Sequence, residues 1–177
     1  MVLLRPLPDE DYIFGWESGH SINNAVLRLP PDSPILTDML ALALSRPIVP
    51  PWFKRRLRVR QWGKWLFGRD TCLNAMPWGT IGPYALTHYA HKHGLAHKAK
   101  PIEVFYPVRF NDAVVSLLDP VADLKAITSN TIGVHLWHSK LALSQHLEPF
   151  EGCWLKEQCR RLGVADPRWF SELKRVA

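Results

Sequence analysis

The residues best suited to chemistry are histidines and amides. His88, His91, His93 and His97 fall within ten positions. His88 and His91 are one helical turn apart, so on a helix both imidazoles could face a single ion. A zinc site also wants carboxylates or thiolates, and none is close in sequence; the competing reading is a solvated helix face. A second candidate is His135, in Val134-His135-Leu136-Trp137-His138-Ser139. On a strand, His135, Trp137 and Ser139 share one face, with Ile132, Val134, Leu136 and His138 on the other. That pattern suits a strand with one side on the core and one on a cleft, and it also suits a plain structural histidine. Asn23 and Asn24 carry amides that both donate and accept, as carbohydrate hydroxyls require; both are equally at home in turns. Cys72, Cys153 and Cys159 match no metal-ligand spacing and read as reduced thiols of a cytosol-like compartment. There is no nucleophile motif, phosphate loop or dinucleotide fingerprint.

Charge marks a further region. The chain carries 22 Lys and Arg against 16 Asp and Glu, a net charge of +6. The excess is local: residues 39–69 hold no acid, but do hold Arg46, Lys54, Arg55, Arg56, Arg58, Arg60, Lys64 and Arg69. Trp52, Phe53, Trp62, Trp65, Leu66 and Phe67 are interleaved with them. Cations with aromatics suit an anionic membrane surface, through residues 52–69, or stacked bases. A solvated basic loop whose rings dock on the core has the same composition. No nucleic-acid motif accompanies the patch, so no specific nucleic acid is expected.

These groups need elements to hold them. A length of 177 residues, 47% of them hydrophobic, suits one domain with a sizeable core and excludes wholesale disorder. No apolar run approaches the ~20 residues of a membrane-spanning helix, and the opening lacks the features of a signal peptide. The expected place is the cytoplasm or a membrane periphery. Residues 9–21, with Gly15 and Gly19, read as a loop. Residues 22–27 suit either strand or helix. Asp32 or Ser33 caps a helix over 35–44 with Pro34 in its first turn. Pro47, Pro50 and Pro51 argue against one continuous helix through the basic segment, 46–69. A tight loop, Trp78-Gly79-Thr80-Ile81-Gly82-Pro83, opens a helix over 83–93 that Gly94 closes. Strands are expected over 102–106, 126–130 and 132–137. A helix over 153–162 capped by Gly163 follows, with a shorter one after Pro167. Short strands alternating with helices make the fold class α/β.

Taken in order, these pieces resemble a known family. Leu4-Arg5-Pro6-Leu7, Asn24-Ala25-Val26, Gly79-Thr80-Ile81-Gly82-Pro83 with Thr87, Phe105-Tyr106-Pro107 and His135-Leu136-Trp137 follow one another as in the sugar transferases with a DXD motif. Within that group the chain is most similar to the alpha-1,4-glycosyltransferase conserved region. The run from Pro149 to Leu155 and Arg161-Leu162-Gly163-Val164 resembles the family's end, so the likeness covers nearly the whole chain.

The resemblance implies a GT-A type fold, a nucleotide-sugar donor, a glycan or glycolipid acceptor, and transfer with retention of configuration. It implies a divalent cation, Mn²⁺ or Mg²⁺, to offset charge on the departing diphosphate. Asn24 would line the sugar or acceptor pocket, with Thr80, Gly82 and Pro83 shaping the loop where acceptor meets donor. His135 would lie near the diphosphate or metal, with Trp137 beside it. The family's Asp-x-Asp precedes the apolar run that leads to the Pro-Leu pair. Here Met1 stands just past its place, and Asp9-Glu10-Asp11, after the pair, reads as an acidic turn. The expectation is therefore a single partial domain over 1–177, the C-terminal portion of the fold without its nucleotide-binding half, with 46–69 as a basic aromatic insertion.

Overall fold

The structure is a computed structural model, and it describes residues 1–143 and 151–164. It is mixed α/β, with two small antiparallel sheets of two strands each. Contacts divide the chain into two compact units, Pro8–Ile102 and Met1–Leu7 with Glu103–Ala177.

The unit Pro8–Ile102 is built on a hairpin. Strand β2, Ile13–Ser18, pairs with β3, Ser21–Arg28. The expected loop over 9–21 is thus mostly strand. Gly15 lies at a register irregularity between Ile13 and Gly15 and forms a parallel bridge to Lys100. A glycine in a strand often marks such a bulge rather than a loop.

Ile22, wholly buried, puts β3 on the core. Helix α1, Pro34–Leu44, begins as Pro34 dictates. Ser33 is its N-cap residue, but the Ser33 hydroxyl makes no cap bond and is buried with no partner among the described residues. Helix α2, Arg55–Leu66, lies in the basic segment beyond its prolines. Helix α3, Pro83–Lys92, starts at Pro83, and Gly94 adopts φ 67° beyond its end, the left-handed cap glycine allows. Phe14, Ile22, Ile35, Ile48, Leu86 and Ala90 form the centre of this unit's core.

In the other unit, β1, Val2–Leu3, pairs antiparallel with β4, Gly133–Val134. The strand expected over 102–106 is a single helical turn, α4, Ile102–Phe105. Val104, Phe105 and Tyr106 are all buried, and a short apolar run buried on every side has no period to separate strand from helix. Residues 126–130 form hydroxyl-braced turns: the Thr128 amide donates to Thr131 Oγ1, and the Asn130 amide to Thr128 Oγ1.

Helices α5, Ala113–Leu118, α6, His138–Leu143, and α7, Trp154–Arg161, complete the described part. Gly163 takes φ 65° beyond α7, as expected of a cap. Val108, Ala113, Leu117, Val134, Cys153 and Leu155 make the core. The helix expected after Pro167, and Pro149 and Phe150 of the tail motif, lie outside the described residues. Among the described residues no helix is long and apolar enough to cross a membrane.

Candidate functional site

Each unit gathers one group of the expected residues, and the first sits at the start of α3. Thr87 fastens β3 to this helix: its hydroxyl donates to the Pro83 carbonyl at 2.7 Å and accepts the Ile22 amide at 2.9 Å. That contact brings Asn24, exposed on β3, against Gly82. A Cβ built on Gly82 would lie 3.1 Å from Asn24 Oδ1, so glycine is what lets the amide approach the backbone. Gly79 adopts φ 81°, and a Cβ there would meet the Tyr84 ring at 3.3 Å.

Thr80 and Pro83 have structural employment. The buried Thr80 donates to the Pro77 carbonyl at 2.7 Å, closing the turn, and Pro83 is buried as the first residue of α3. Asn23 is buried too, its Nδ2 donating to Glu17 and its Oδ1 accepting the Ala25 amide. Asn24 is the exposed amide of the pair. Trp78 and Tyr84, at the two ends of the loop, are exposed rings. Neither ring is among the expected ligands, and the signal for Trp78 is its place just ahead of a loop with two glycines. An exposed amide can hydrogen-bond the edge of a polyhydroxylated ring, and an exposed aromatic face can cover its C–H side.

The second group lies in the other unit. Strand β4 ends at Val134, earlier than the expected 132–137, because the chain reverses at Trp137, which has φ 49°. A bulky residue there is strained. Three hydrogen bonds hold the reversal: the Trp137 amide donates to His135 Nδ1 at 3.2 Å, the indole to the Val108 carbonyl at 2.7 Å, and the His135 amide to the Phe105 carbonyl at 3.1 Å. The expected His135/Trp137/Ser139 strand face does not form, since residues from His138 onward are helical. His135 and Trp137 still meet, ring centroids 4.3 Å apart, with Tyr106 5.6 Å from His135 and Phe110 5.5 Å from Trp137. Lys140 places its ammonium 4.5 Å over the Phe110 ring.

His135 is half-buried, and burial, followed by the nearby Met1 amino group, pushes its pKa down to about 4. The ring is neutral at pH 7. With Nδ1 accepting the Trp137 amide, its proton sits on Nε2, which makes that nitrogen a donor. A metal would need an unprotonated ring nitrogen, and Nδ1 is already engaged.

The four clustered histidines disperse rather than converge. His88 packs on Trp52 at 5.3 Å, His91 on Trp16 at 5.8 Å, His93 bonds Asp38 at 2.8 Å, and His97 bonds the Gly94 carbonyl. Among the described residues no three His, Cys, Asp or Glu side chains are grouped to hold a metal ion. The donors present therefore do not by themselves fit the expected Mn²⁺ or Mg²⁺. Asp9 and Asp11 are exposed, and Asp9 is engaged with Arg28 at 3.3 Å.

Compared with models of known families, with curated proteins and with solved structures, the chain matches none. Fold and side chains together define a mixed α/β protein with small two-stranded sheets. One exposed amide lies at the mouth of a glycine loop, and one neutral imidazole stands in an aromatic nest.

Proposed function

We propose that the chain is the C-terminal part of a GT-A type glycosyltransferase, which moves a hexose from a nucleotide sugar to a glycan or glycolipid with retention. The observation that carries this reading is the seating of the exposed Asn24 against Gly82, in a loop whose end residues Trp78 and Tyr84 are exposed. An amide seated closely on a glycine of the loop, where an added Cβ would press on it, is suited to a pair of sugar hydroxyls. The motif order from Leu4 to Trp137 supports the reading. His135 Nε2–H, with Lys140 in the same nest, offers a donor and a cation to a phosphate oxygen. The carboxylates for a divalent cation are not grouped among the described residues, so the roles drawn here are sugar binding and phosphate contact alone.

Titration calorimetry with uridine- and guanosine-diphosphate hexoses and with oligosaccharide acceptors, with and without Mn²⁺, tests the reading. A member of the panel saturates the protein, and Asn24→Ala and Gly82→Ala each weaken its binding roughly tenfold, the loss of one good hydrogen bond. Failure of every compound to bind, or binding indifferent to both substitutions, ends the proposal.

A further inference from the structure

Helix α2 is inside out. Its buried residue is Gln61, polar, whose Nε2 reaches Met76 Sδ at 3.3 Å while Oε1 is buried with no partner among the described residues. Leu57 and Trp65, one turn to either side of Gln61, share its side of the helix, while a second apolar set faces the other way. Val59 is 63% exposed, Trp62 48%, Leu66 71% and Phe67, just past the helix, 85%.

At 3.6 residues per turn, Val59, Trp62 and Leu66 align in one stripe on the side away from Gln61. Arg55 stands in the stripe itself, one turn before Val59, while Arg58 borders it on one flank and Arg56 and Arg60 on the other. No acid lies between residues 39 and 69. Among the described residues none of these arginines, nor Lys54 or Lys64, is in an ion pair. A helix facing only water has no use for such a stripe. One packing on its own protein would turn it inward.

We propose that α2 docks on an anionic lipid bilayer, with Val59, Trp62, Leu66 and Phe67 entering the headgroup–acyl boundary and the arginines meeting lipid phosphates. Charge complementarity selects the occupant: the flanks are wholly cationic, and the stripe between them holds aliphatic side chains as well as indole, which suits hydrocarbon. Single-stranded nucleic acid shares the need for cations, but it would be met by stacking rings rather than by Val59 and Leu66. The helix lies in the interface plane rather than across the membrane. The proposal stands apart from sugar transfer and holds or fails without it.

The test is co-flotation of the whole protein with two kinds of vesicle, phosphatidylcholine alone and phosphatidylcholine with an equal part of phosphatidylglycerol. Tryptophan quenching by lipids brominated along the acyl chain is read in parallel. Binding is expected only to the mixed vesicles, falling steeply with salt. Each arginine replaced by glutamine weakens it about fivefold. Val59→Gln with Leu66→Gln weakens it at least tenfold and abolishes the acyl-chain quenching. All these side chains are exposed, and unchanged thermal melting and circular dichroism confirm that each variant is folded.

Equal binding to both vesicle types overturns the proposal. So does a charge-dependent binding that the Val59/Leu66 pair leaves intact and that brominated lipid does not quench. Tighter, salt-sensitive binding to an oligonucleotide, equally indifferent to that pair, assigns the helix to nucleic acid and overturns it as well.

Discussion

Helices α2 and α3 belong to the same unit and have similar lengths, 12 and 10 residues, yet they treat their apolar residues oppositely. In α3, Pro83, Ala85, Leu86, Tyr89 and Ala90 are buried, and His91 and Lys92 lie outside. In α2 Val59 and Leu66 are outside, and the one buried residue is a glutamine. The first helix is held by what it covers. An isolated helix as short as the second is marginal in water, and its one buried side chain is an amide bonded to the Met76 thioether. Amphipathicity alone therefore says nothing about which way a helix faces; the charges beside the apolar stripe do. The α3 stripe turns away from Lys92, which pairs with Asp38 at 2.6 Å. The α2 stripe is hemmed by cations that have no such partner among the described residues.

The contrast is broken most forcefully from the α3 side. Leu86 is wholly buried. Leu86→Ala leaves a cavity among Phe14, Ile22 and Ala90 and lowers stability by about 2–5 kcal/mol, read by urea unfolding at constant slope. A loss no larger than that of an exposed substitution would mean that α3 is not held by its covered face.

Acid acts on the buried histidines. His88 on α3 is held below its ordinary pKa, first by burial and then by Lys92, and His135 in the other unit is pushed down to about 4. Between the ordinary value, about 6.5, and the folded value, the unfolded chain binds more protons than the folded one. Stability therefore falls as pH drops through that window and is unaffected above it. Melting midpoints fall from about pH 7 to about pH 5. His135→Gln, which keeps an acceptor near the Trp137 amide, flattens that slope. An unchanged slope would place His135 in water.

The joint between β3 and α3 gives the next effect. Thr87→Val keeps the shape but orphans the Ile22 amide, at about 1–3 kcal/mol. Calorimetric melting reads the loss, and Thr87→Ser, which restores the hydroxyl, recovers most of it.

What could be read from the sequence divides along the same physical line. Pro34 and Pro83 set two helix starts, and Gly94 and Gly163 two helix ends, because proline and glycine act through their own backbone whatever the surroundings. Strand β2 was hidden because Gly15 and Gly19 read as loop signals, while Gly15 is a bulge whose partner, Lys100, is 85 positions away. Helix α4 was hidden because Val104 and Phe105 have strand propensity, and their carbonyls are taken by the distant Ile132 and His135 amides. Of the candidate site, the loop from Gly79 to Pro83 was legible from its own residues, and the approach of Asn24 to Gly82 was not, since it depends on how Thr87 docks the hairpin. The strand face proposed for His135 failed for a reason of the same kind: three hydrogen bonds, two of them to Val108 and Phe105, turn the chain at Trp137.

The smallest expected effect is the most telling for the comparison. Val59→Gln with Leu66→Gln in α2, in the absence of vesicles, changes stability by no more than about 0.5 kcal/mol, as befits exposed positions. Urea unfolding at two protein concentrations reads it. In α3 the replacement of one covered leucine is several times costlier, so near-neutrality of the pair in α2, together with their loss of vesicle binding, separates a helix that supports its fold from one that serves a surface. A drop of several kcal/mol, growing with protein concentration, would instead mean that two copies cover this stripe in solution. In that case self-association, rather than a cationic rim around a free apolar face, would explain why α2 turns its leucine outward.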